Sequence, residues 1–257
     1  MDKKLSFLKD YAGTFFIILS IFALYELCTD IYGCLDVVLF PGLSKIWPTI
    51  VGSGPQLFEC FISSMKLLIP GYLLAAFSGI FLGTTIALIP RLRKSLQPII
   101  FALSPIPPSM LTPYLIAVLP TFYISSVAVI FIGCFWPFLN STINGIVLID
   151  QKYLDNAKIL EFQGARKLFC IILPAASPMI LAGAATALNF AFILLTVAEM
   201  FATNSGLGYY IQYYADFSDY SRVLGGLFVT IIIFVAIMIC FDSFKKKILF
   251  WTLNEKH

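Results

Sequence analysis

The sequence has few charged residues and a single histidine. Only 12% of its 257 residues are Asp, Glu, Lys or Arg, whereas a soluble domain carries roughly a quarter. The one histidine is His257, which excludes a Ser–His or Cys–His catalytic arrangement and a histidine metal cluster. The GxxxxGK[ST] loop that binds nucleotide phosphates is also missing, so this chain does not hydrolyse ATP by that route. No basic stripe with interleaved aromatic residues indicates nucleic-acid binding.

Long stretches of the sequence carry no charge at all. The longest runs from Ser95 to Ile149, 55 residues, and Leu168–Ala198 and Val223–Phe241 are also uncharged. A spanning helix needs about 20 apolar residues, so the first run accommodates two crossings and each of the others one. Two further apolar stretches precede them. We therefore predict an all-α, polytopic membrane protein of one domain with six transmembrane helices, at approximately 12–31, 67–89, 98–119, 122–149, 175–198 and 223–243.

The start of the sequence has a feature of secretory signals, because three lysines precede an apolar stretch. Glu26 and Asp30 interrupt the end of that stretch, and no small-x-small cleavage pattern follows. We therefore expect this segment to be the first span and not a cleaved leader.

The basic residues are distributed asymmetrically between the two sides of the predicted spans. If the amino terminus is cytoplasmic, the outside segments contain only Lys45, Lys66 and Arg222. The inside segments contain fourteen basic residues: Lys3, Lys4, Lys9, Arg91, Arg93, Lys94, Lys152, Lys158, Arg166, Lys167, Lys245, Lys246, Lys247 and Lys256. Cytoplasmic loops are enriched in Lys and Arg, so this distribution predicts that both termini are cytoplasmic.

A few polar side chains lie within the predicted spans and are candidates for a translocation pathway. Glu199 and Glu26 lie near the outer ends of their spans, where each either faces solvent or pairs with another helix. Asn189 lies inside span five, where an amide lines a pathway or bonds a neighbouring helix. No series of buried carboxylates or histidines indicates a proton relay.

Five prolines fall within sixteen residues of span three, including Pro107 and Pro108. A regular lipid-facing helix does not tolerate this density, and broken backbone at membrane depth is stable only when protein covers it or it lines a cavity. Two interpretations remain. The prolines mark an unwound solute site, or the first three precede the helix on its cytoplasmic approach.

The connection between spans four and five, residues 150–173, is too long for a tight turn. Tyr153, Ala157, Leu160 and Leu168 fall on one face of a helix, and Gly164 should interrupt it and give two short helices. This pattern fits an amphipathic helix on the inner leaflet, or a docking surface for a cytoplasmic partner.

The stretch DNAKILEFQGARKLFCIILPAASPMILAG in this connection resembles the "EAA" loop of the permeases of binding-protein-dependent bacterial ABC importers. Counting back from the Ile-x-Leu-Pro signature, the family's Glu-Ala-Ala falls on Asp155, Asn156 and Ala157, and its glycine falls on Glu161. Either Gly164 supplies the turn that the family glycine makes, three residues later, or the loop is altered. The resemblance implies that an ATPase-coupling loop contains Asp155, Asn156, Ala157, Leu160, Glu161, Gly164, Leu173 and Pro174.

The resemblance extends over nearly the whole chain and is nearest to the nitrate/sulfonate/taurine-type branch. The segments that carry it are LFPGLSKIW, IPRLRKSLQPIIFALSPIPPSMLTPYLIAV and AEMFATNSGLGYYI. It implies an inner-membrane homodimer that docks on a separate cytoplasmic ATP-binding subunit and receives solute from an extracytoplasmic binding protein. It further implies no cofactor in this chain, since ATP is used by the partner. The implied solute is a small anion such as a sulfonate, taurine or nitrate, or a vitamin precursor.

A different class of function stays open as the alternative. A stand-alone secondary transporter would also be polytopic, but such proteins often have internal repeats and buried ion-coupling carboxylates. We find neither in the sequence, and therefore favour the importer permease.

Overall fold

The computed structural model describes residues 2–36 and 38–250, and every regular element in these ranges is a helix. Lys256 and His257 lie outside the described residues. Short π- or 3₁₀-helical turns follow α1, precede α5 and precede α9. The α-helices are α1 Asp2–Glu26, α2 Leu43–Gly52, α3 Gly54–Leu88, α4 Pro90–Leu103, α5 Thr112–Val118, α6 Phe122–Val147, α7 Gln151–Ile159, α8 Gly164–Lys167, α9 Leu173–Ala202, α10 Leu207–Asp216 and α11 Tyr220–Ile248.

Five helical segments are long and apolar enough to cross a membrane, and α4 with α5 makes a sixth if this bent pair is one span. The prediction of an all-helical, polytopic membrane protein is therefore confirmed. The five segments are Gly13–Ile31, Gly54–Leu88, Phe122–Val147, Gly164–Phe201 and Tyr220–Ile248.

The predicted third span, 98–119, falls on a bent pair of helices. The helix α4 ends at Leu103, and after a break the segment Pro108–Val118 continues at an angle of 77°. Pro105 and Pro107 lie in the break, where they cannot donate the backbone hydrogen bonds that a helix requires. Pro98, the first of the three prolines that one interpretation placed before the helix, lies within α4.

The helix that contains the predicted second span begins before it. The prediction started at residue 67, after Lys66, whereas α3 extends back to Gly54 without interruption. Lysine is a good helix former, so a single lysine does not end the helix.

The described residues divide into two compact units, the first comprising residues up to Phe58 together with Tyr210–Val229. Within this unit the buried ring of Tyr210 lies beside Gly226, where a Cβ atom would come 2.9 Å from the ring. The guanidinium of Arg222 lies 4.7 Å from the ring centre of Tyr214 and pairs with Asp219. Burial raises the pKa of the Tyr210 hydroxyl.

The second unit comprises Glu59–Tyr209 and the residues from Thr230 onward, and α6 is its central helix. α6 runs antiparallel to α9, because Gly133 lies beside Leu194 while Gly145 lies beside Met179. Along α3, by contrast, Gly71 faces Ile130 and Gly83 faces Thr142, so α3 and α6 run in the same direction.

Small residues allow α6 and α9 to approach closely. A Cβ atom on Gly183 would collide with the side chain of Ser141 and lie 3.0 Å from the carbonyl oxygen of Pro137. The thiol of Cys134 donates to the carbonyl of Ala187 at 3.3 Å, and the Tyr72 hydroxyl of α3 donates to that of Ala184 at 2.9 Å. Close approach through small residues is the usual basis of helix packing in membranes, where lipid removes most of the hydrophobic driving force.

Replacement of Gly183 tests this packing. Gly183→Val should force α9 away from α6 and lower the free energy of unfolding by about 1–3 kcal/mol, the usual range for overpacking. The measurement is the midpoint of thermal unfolding in detergent. Ala182→Val is the matched control, because Ala182 is exposed in the described part of the chain. Equal midpoints for the two variants would contradict the close approach.

Candidate functional site

The segment between α6 and α9 folds into two short helices, α7 and α8, as the sequence predicts. Asp150 is the N-cap of α7, and its carboxylate accepts a hydrogen bond from the Lys152 amide at 3.0 Å. A π-helical turn, Leu168–Ile172, joins α8 to α9, so that helical structure continues without a loop into Leu173 and Pro174 at the start of α9. α7 packs against this π-helical turn.

The carboxyl end of α7 closes with a Schellman motif. The amide of Phe162 donates to the carbonyl of Ala157 at 2.9 Å, and the amide of Glu161 donates to that of Lys158 at 3.0 Å. In this motif the residue after the C-cap adopts the left-handed conformation, which favours glycine. Glu161 occupies that position with φ = 56°.

Of the two alternatives, a turn supplied by Gly164 is therefore not the one that ends α7. The turn is made at Glu161, at the position where the resemblance places glycine. Gly164 also has a positive φ, 54°, but it begins α8 and does not end α7. Two residues in left-handed conformations thus bracket the short connection between the two helices.

Burial separates the residues of α7 into an inner and an outer set. Ala157 is 0% exposed, so its methyl group is on the packing face. Leu160, which was expected on the same face, is the C-cap residue and is 59% exposed, and the adjacent Ile159 is 78% exposed. Since the helix ends at Ile159, Leu160 leaves the helical register that would have placed it beside Ala157. We call Ile159 and Leu160 the apolar tip.

The charged and amide side chains of α7 are exposed. Asn156 is exposed, and Asp155 accepts hydrogen bonds from Lys158 at 2.9 Å and from Gln151 at 3.2 Å. The hydrogen bond from Lys158 holds the pKa of the Asp155 carboxyl below its usual value. In α8 the guanidinium of Arg166 lies 4.5 Å from the ring centre of Phe162. The outer surface thus combines balanced charge with an apolar tip.

Asn189 lies on an exposed face of α9 together with Thr186 and Ile193. A side-chain amide that faced hydrocarbon would lose its hydrogen bonds to water without replacement. The face that carries Asn189 therefore requires a polar neighbour, either water in a pathway or another protein surface.

Pro107 and Pro108 lie where the third span breaks. Pro107 has extended backbone and precedes the 3₁₀-helical turn Pro108–Leu111, which packs against α6 and α9. The ring of Pro108 lies beside Gly133 of α6. Protein thus covers one side of the broken backbone, as the bilayer requires.

Glu199 is 1% exposed, so its carboxylate faces the protein and not an open pathway. Its Oε2 accepts a hydrogen bond from the Gly208 amide at 2.7 Å, the Ser64 hydroxyl lies beside the carboxylate, and Oε1 has no hydrogen-bond partner among the described residues. Ser64 in turn accepts from the Leu207 amide at 3.0 Å. A Cβ atom on Gly206, where φ is 120°, would collide with the carboxylate. Glu199 and Ser64 together hold the amino end of α10.

A second carboxylate has the same role in the first unit. The Glu26 carboxylate accepts from the Leu43 amide at 3.1 Å, at the amino end of α2, and the Ser44 hydroxyl donates to Asp30 at 3.1 Å. Unpaired amides and the helix dipole both favour negative charge at this end of a helix. Sequence reasoning did not find this role. The signal was present, since both glutamates are followed within 17 residues by a glycine that begins or precedes a short helix.

Comparison with known proteins adds three relatives and one family. The profile of the family described as binding-protein-dependent transport system inner membrane component matches residues 75–249. A Bacillus subtilis protein named for aliphatic sulfonates transport as a permease is 34% identical over 70% of this chain and 66% of its own length. The nitrate import permease of Synechococcus elongatus is 33% identical over 60% and 54%. The taurine transport system permease of Escherichia coli is 27% identical over 77% and 74%.

The alignments to the first two of these relatives span less than two thirds of the relatives' own length. The matched family region contains α4 to α9, and therefore both the α7–α8 segment and Glu199.

Substitution of Glu161 tests the left-handed turn. Glu161→Gly removes a backbone cost of about 1–2 kcal/mol for a left-handed L-residue, partly offset by the greater freedom of glycine in the unfolded chain. We expect slower hydrogen exchange of the Phe162 amide, whereas Glu161→Val should accelerate it because a β-branched residue resists positive φ. Identical exchange rates in the three proteins would show that the turn is not strained.

Substitution of Glu199 tests the anchor at α10. Glu199→Gln keeps an oxygen that accepts from Gly208, whereas Glu199→Ala leaves a buried amide without a partner, at a cost of about 1–3 kcal/mol. We expect faster hydrogen exchange across residues 203–210 in Glu199→Ala only. If Glu199→Gln exchanges as fast as Glu199→Ala, the negative charge matters and not the hydrogen bond.

Proposed function

Because this chain belongs to the family of binding-protein-dependent transport system inner membrane components, we propose that it is the membrane-spanning permease subunit of an ATP-driven importer. In this proposal the chain forms the solute pathway and carries no ATPase site of its own. A cytoplasmic ATP-binding subunit docks on the α7–α8 segment, and an extracytoplasmic binding protein delivers the solute. Two copies of the chain pair in the membrane.

The observation that carries the proposal is the apolar tip. Ile159 and Leu160 are exposed at the end of a helix far too short to span a membrane, between two helices that are long enough. The buried Ala157 fixes the base of this helix against the π-helical turn. A rigid segment with an exposed apolar end and a polar surround is typical of a helix that inserts into a groove of a partner protein.

The directions of the helices support six crossings. Since α3 and α6 run in the same direction, the chain between them must return across the bilayer. The broken pair α4 and α5 is the part of the chain that lies between them. With six crossings both termini lie on the same side, and the distribution of the basic residues supports a cytoplasmic location for that side.

The solute is proposed from the names of the relatives. Aliphatic sulfonates, nitrate and taurine all carry a negatively charged group of oxygen atoms, and we propose a solute of this class. The exposed Asn189 face of α9 supports a polar pathway or a second copy of the chain at this surface. The stand-alone secondary transporter is disfavoured, because the buried carboxylate of Glu199 accepts a hydrogen bond from the Gly208 amide and so holds the start of α10.

Ile159→Asp tests docking directly. The substitution places a charge on the apolar tip, where a partner's groove would have to bury it without a counter-charge. Because Ile159 is exposed, the protein should fold and insert normally. We expect at least a tenfold loss of co-purified ATP-binding subunit, equivalent to about 1.4 kcal/mol, with a parallel loss of solute uptake.

Gln163→Asp is the matched control, since Gln163 is exposed on the same segment and receives the same charge. It should retain the ATP-binding subunit and uptake. Ala157→Asp should also lose the subunit, because a buried charge would detach α7 from its base. If Ile159→Asp and Ala157→Asp both retain the subunit and full uptake, the segment is a membrane-surface helix and docking occurs elsewhere.

A further inference from the structure

A groove of about 210 Å³ lies where α3, the start of α6 and the loop after α9 meet. Its volume is below the roughly 300–1,000 Å³ of pockets for drug-sized ligands, and therefore suits a small solute. We call it the Lys66 groove. Its lining residues are Ser63, Lys66, Leu67, Tyr123, Asn204 and Ser205, with Phe122 and Thr203 at the margins.

Lys66 supplies the groove with a positive charge on a helix of membrane-spanning length. Its side chain is exposed, and none of the ion pairs within residues 2–36 and 38–250 includes it. Basic side chains on membrane spans are rare and are generally paired or directed into a polar cavity. An anion in the groove would provide the missing counter-charge.

Hydroxyl groups surround this charge. The hydroxyls of Ser63 and Ser205 lie 2.6 Å apart, and the Tyr123 hydroxyl donates to the backbone carbonyl of Lys66 at 3.1 Å. Asn204 is exposed beside them and carries two amide donors. Hydrogen bonds to a charged acceptor are about twice as strong as neutral ones, so these donors favour an anion over a neutral solute. An oxyanion also has several acceptor oxygens, so it can accept from more than one of these donors at once, which a single chloride ion does with less geometric specificity.

The loop that carries Asn204 and Ser205 is held in place before any ligand binds. The Thr203 hydroxyl donates to the Ser205 carbonyl at 2.7 Å and to the Glu199 carbonyl at 3.1 Å. The Glu199 carboxylate fixes the following residues through Gly208. Binding therefore requires little further ordering of the loop, which is the condition for useful affinity in a small site.

We propose that the Lys66 groove binds the oxyanion group of the solute, with Lys66 as the counter-ion and the Ser63–Ser205 pair and Asn204 as hydrogen-bond donors. This inference rests on the proposed function, in which the chain imports a solute that carries an oxyanion group. A phospholipid phosphate has the same chemistry and would be the other source of an oxyanion at a lysine near a membrane surface.

Charged thiol reagents test the groove in the purified chain without any partner. Phe122→Cys, at the margin of the groove and outside the proposed donor set, is introduced into a variant that lacks the six native cysteines, in dodecyl maltoside, a detergent without phosphate. The label is a methanethiosulfonate that carries either a sulfonate or a trimethylammonium group. We expect the ratio of anionic to cationic labelling rates to fall roughly five- to tenfold in Lys66→Gln and to persist in Lys66→Arg.

Competition identifies the ligand. Methanesulfonate or nitrate should slow labelling of Phe122→Cys, whereas sodium chloride at the same ionic strength should not. Ser63→Ala and Tyr123→Phe provide a graded comparison, because only Ser63 belongs to the proposed donor set and only Ser63→Ala should weaken protection. An unchanged ratio in Lys66→Gln, or equal protection by chloride, would overturn the site.

Protection that appears only when anionic phospholipid is added, and never with methanesulfonate or nitrate, would assign the groove to a lipid headgroup and overturn the solute assignment.

Failure of the groove proposal can be distinguished from failure of the proposed function. If Ile159→Asp loses the ATP-binding subunit as expected but the labelling ratio is the same in Lys66→Gln, the permease proposal is supported and the groove proposal is contradicted. If the labelling ratio falls as expected but Ile159→Asp retains the subunit, the groove proposal is supported and the docking proposal is contradicted.

Discussion

Close packing of α6 between α3 and α9 is the constraint on which the second unit depends. In lipid, helices gain little from burying apolar side chains, so contact between backbones has to supply the stability. The glycines and alanines of these three helices permit it, and the hydroxyl of Tyr72 and the thiol of Cys134 bind backbone carbonyls at the contact. The antiparallel α6–α9 pair then fixes both the α7–α8 segment at one end and the Glu199 loop at the other. The two ends of α9 are about 45 Å apart, at 1.5 Å per residue.

Carboxylates near span ends are used for structure in this protein. Glu26 and Glu199 each accept an amide hydrogen bond at the amino end of a short helix, α2 and α10 respectively. The favourable field at a helix amino terminus offsets part of the cost of removing the charge from water. This position of the loop before α10 also brings Ser205 into hydrogen-bonding contact with Ser63. Locating the spans in the sequence does not predict that contact.

The sequence was sufficient for the features that depend on composition and period. The helical class, the membrane-length segments and the two short helices after Asp150 follow from uncharged runs and from an amphipathic pattern with glycine. The break in the third span was signalled by prolines, but its position depends on packing of Pro108 against α6. The left-handed turn at Glu161 could not be read from propensity, because glutamate disfavours it and the Phe162–Ala157 hydrogen bond stabilises it. Likewise, the burial of Glu199 depends on contacts across 135 positions, between Ser64 and Glu199.

The π-helical turn at Leu168–Ile172 has a geometric consequence for the whole α7–α8 segment. A π-turn contains one residue more than an α-turn, and one residue corresponds to about 100° of rotation about the helix axis. The direction in which the α7–α8 segment projects from α9, measured around the helix axis, therefore depends on a single extra residue in this turn. Removing that residue would preserve every helix and nearly every helix length. It would nevertheless rotate the α7–α8 segment about the axis of α9, so that Ile159 and Leu160 would point in a different direction.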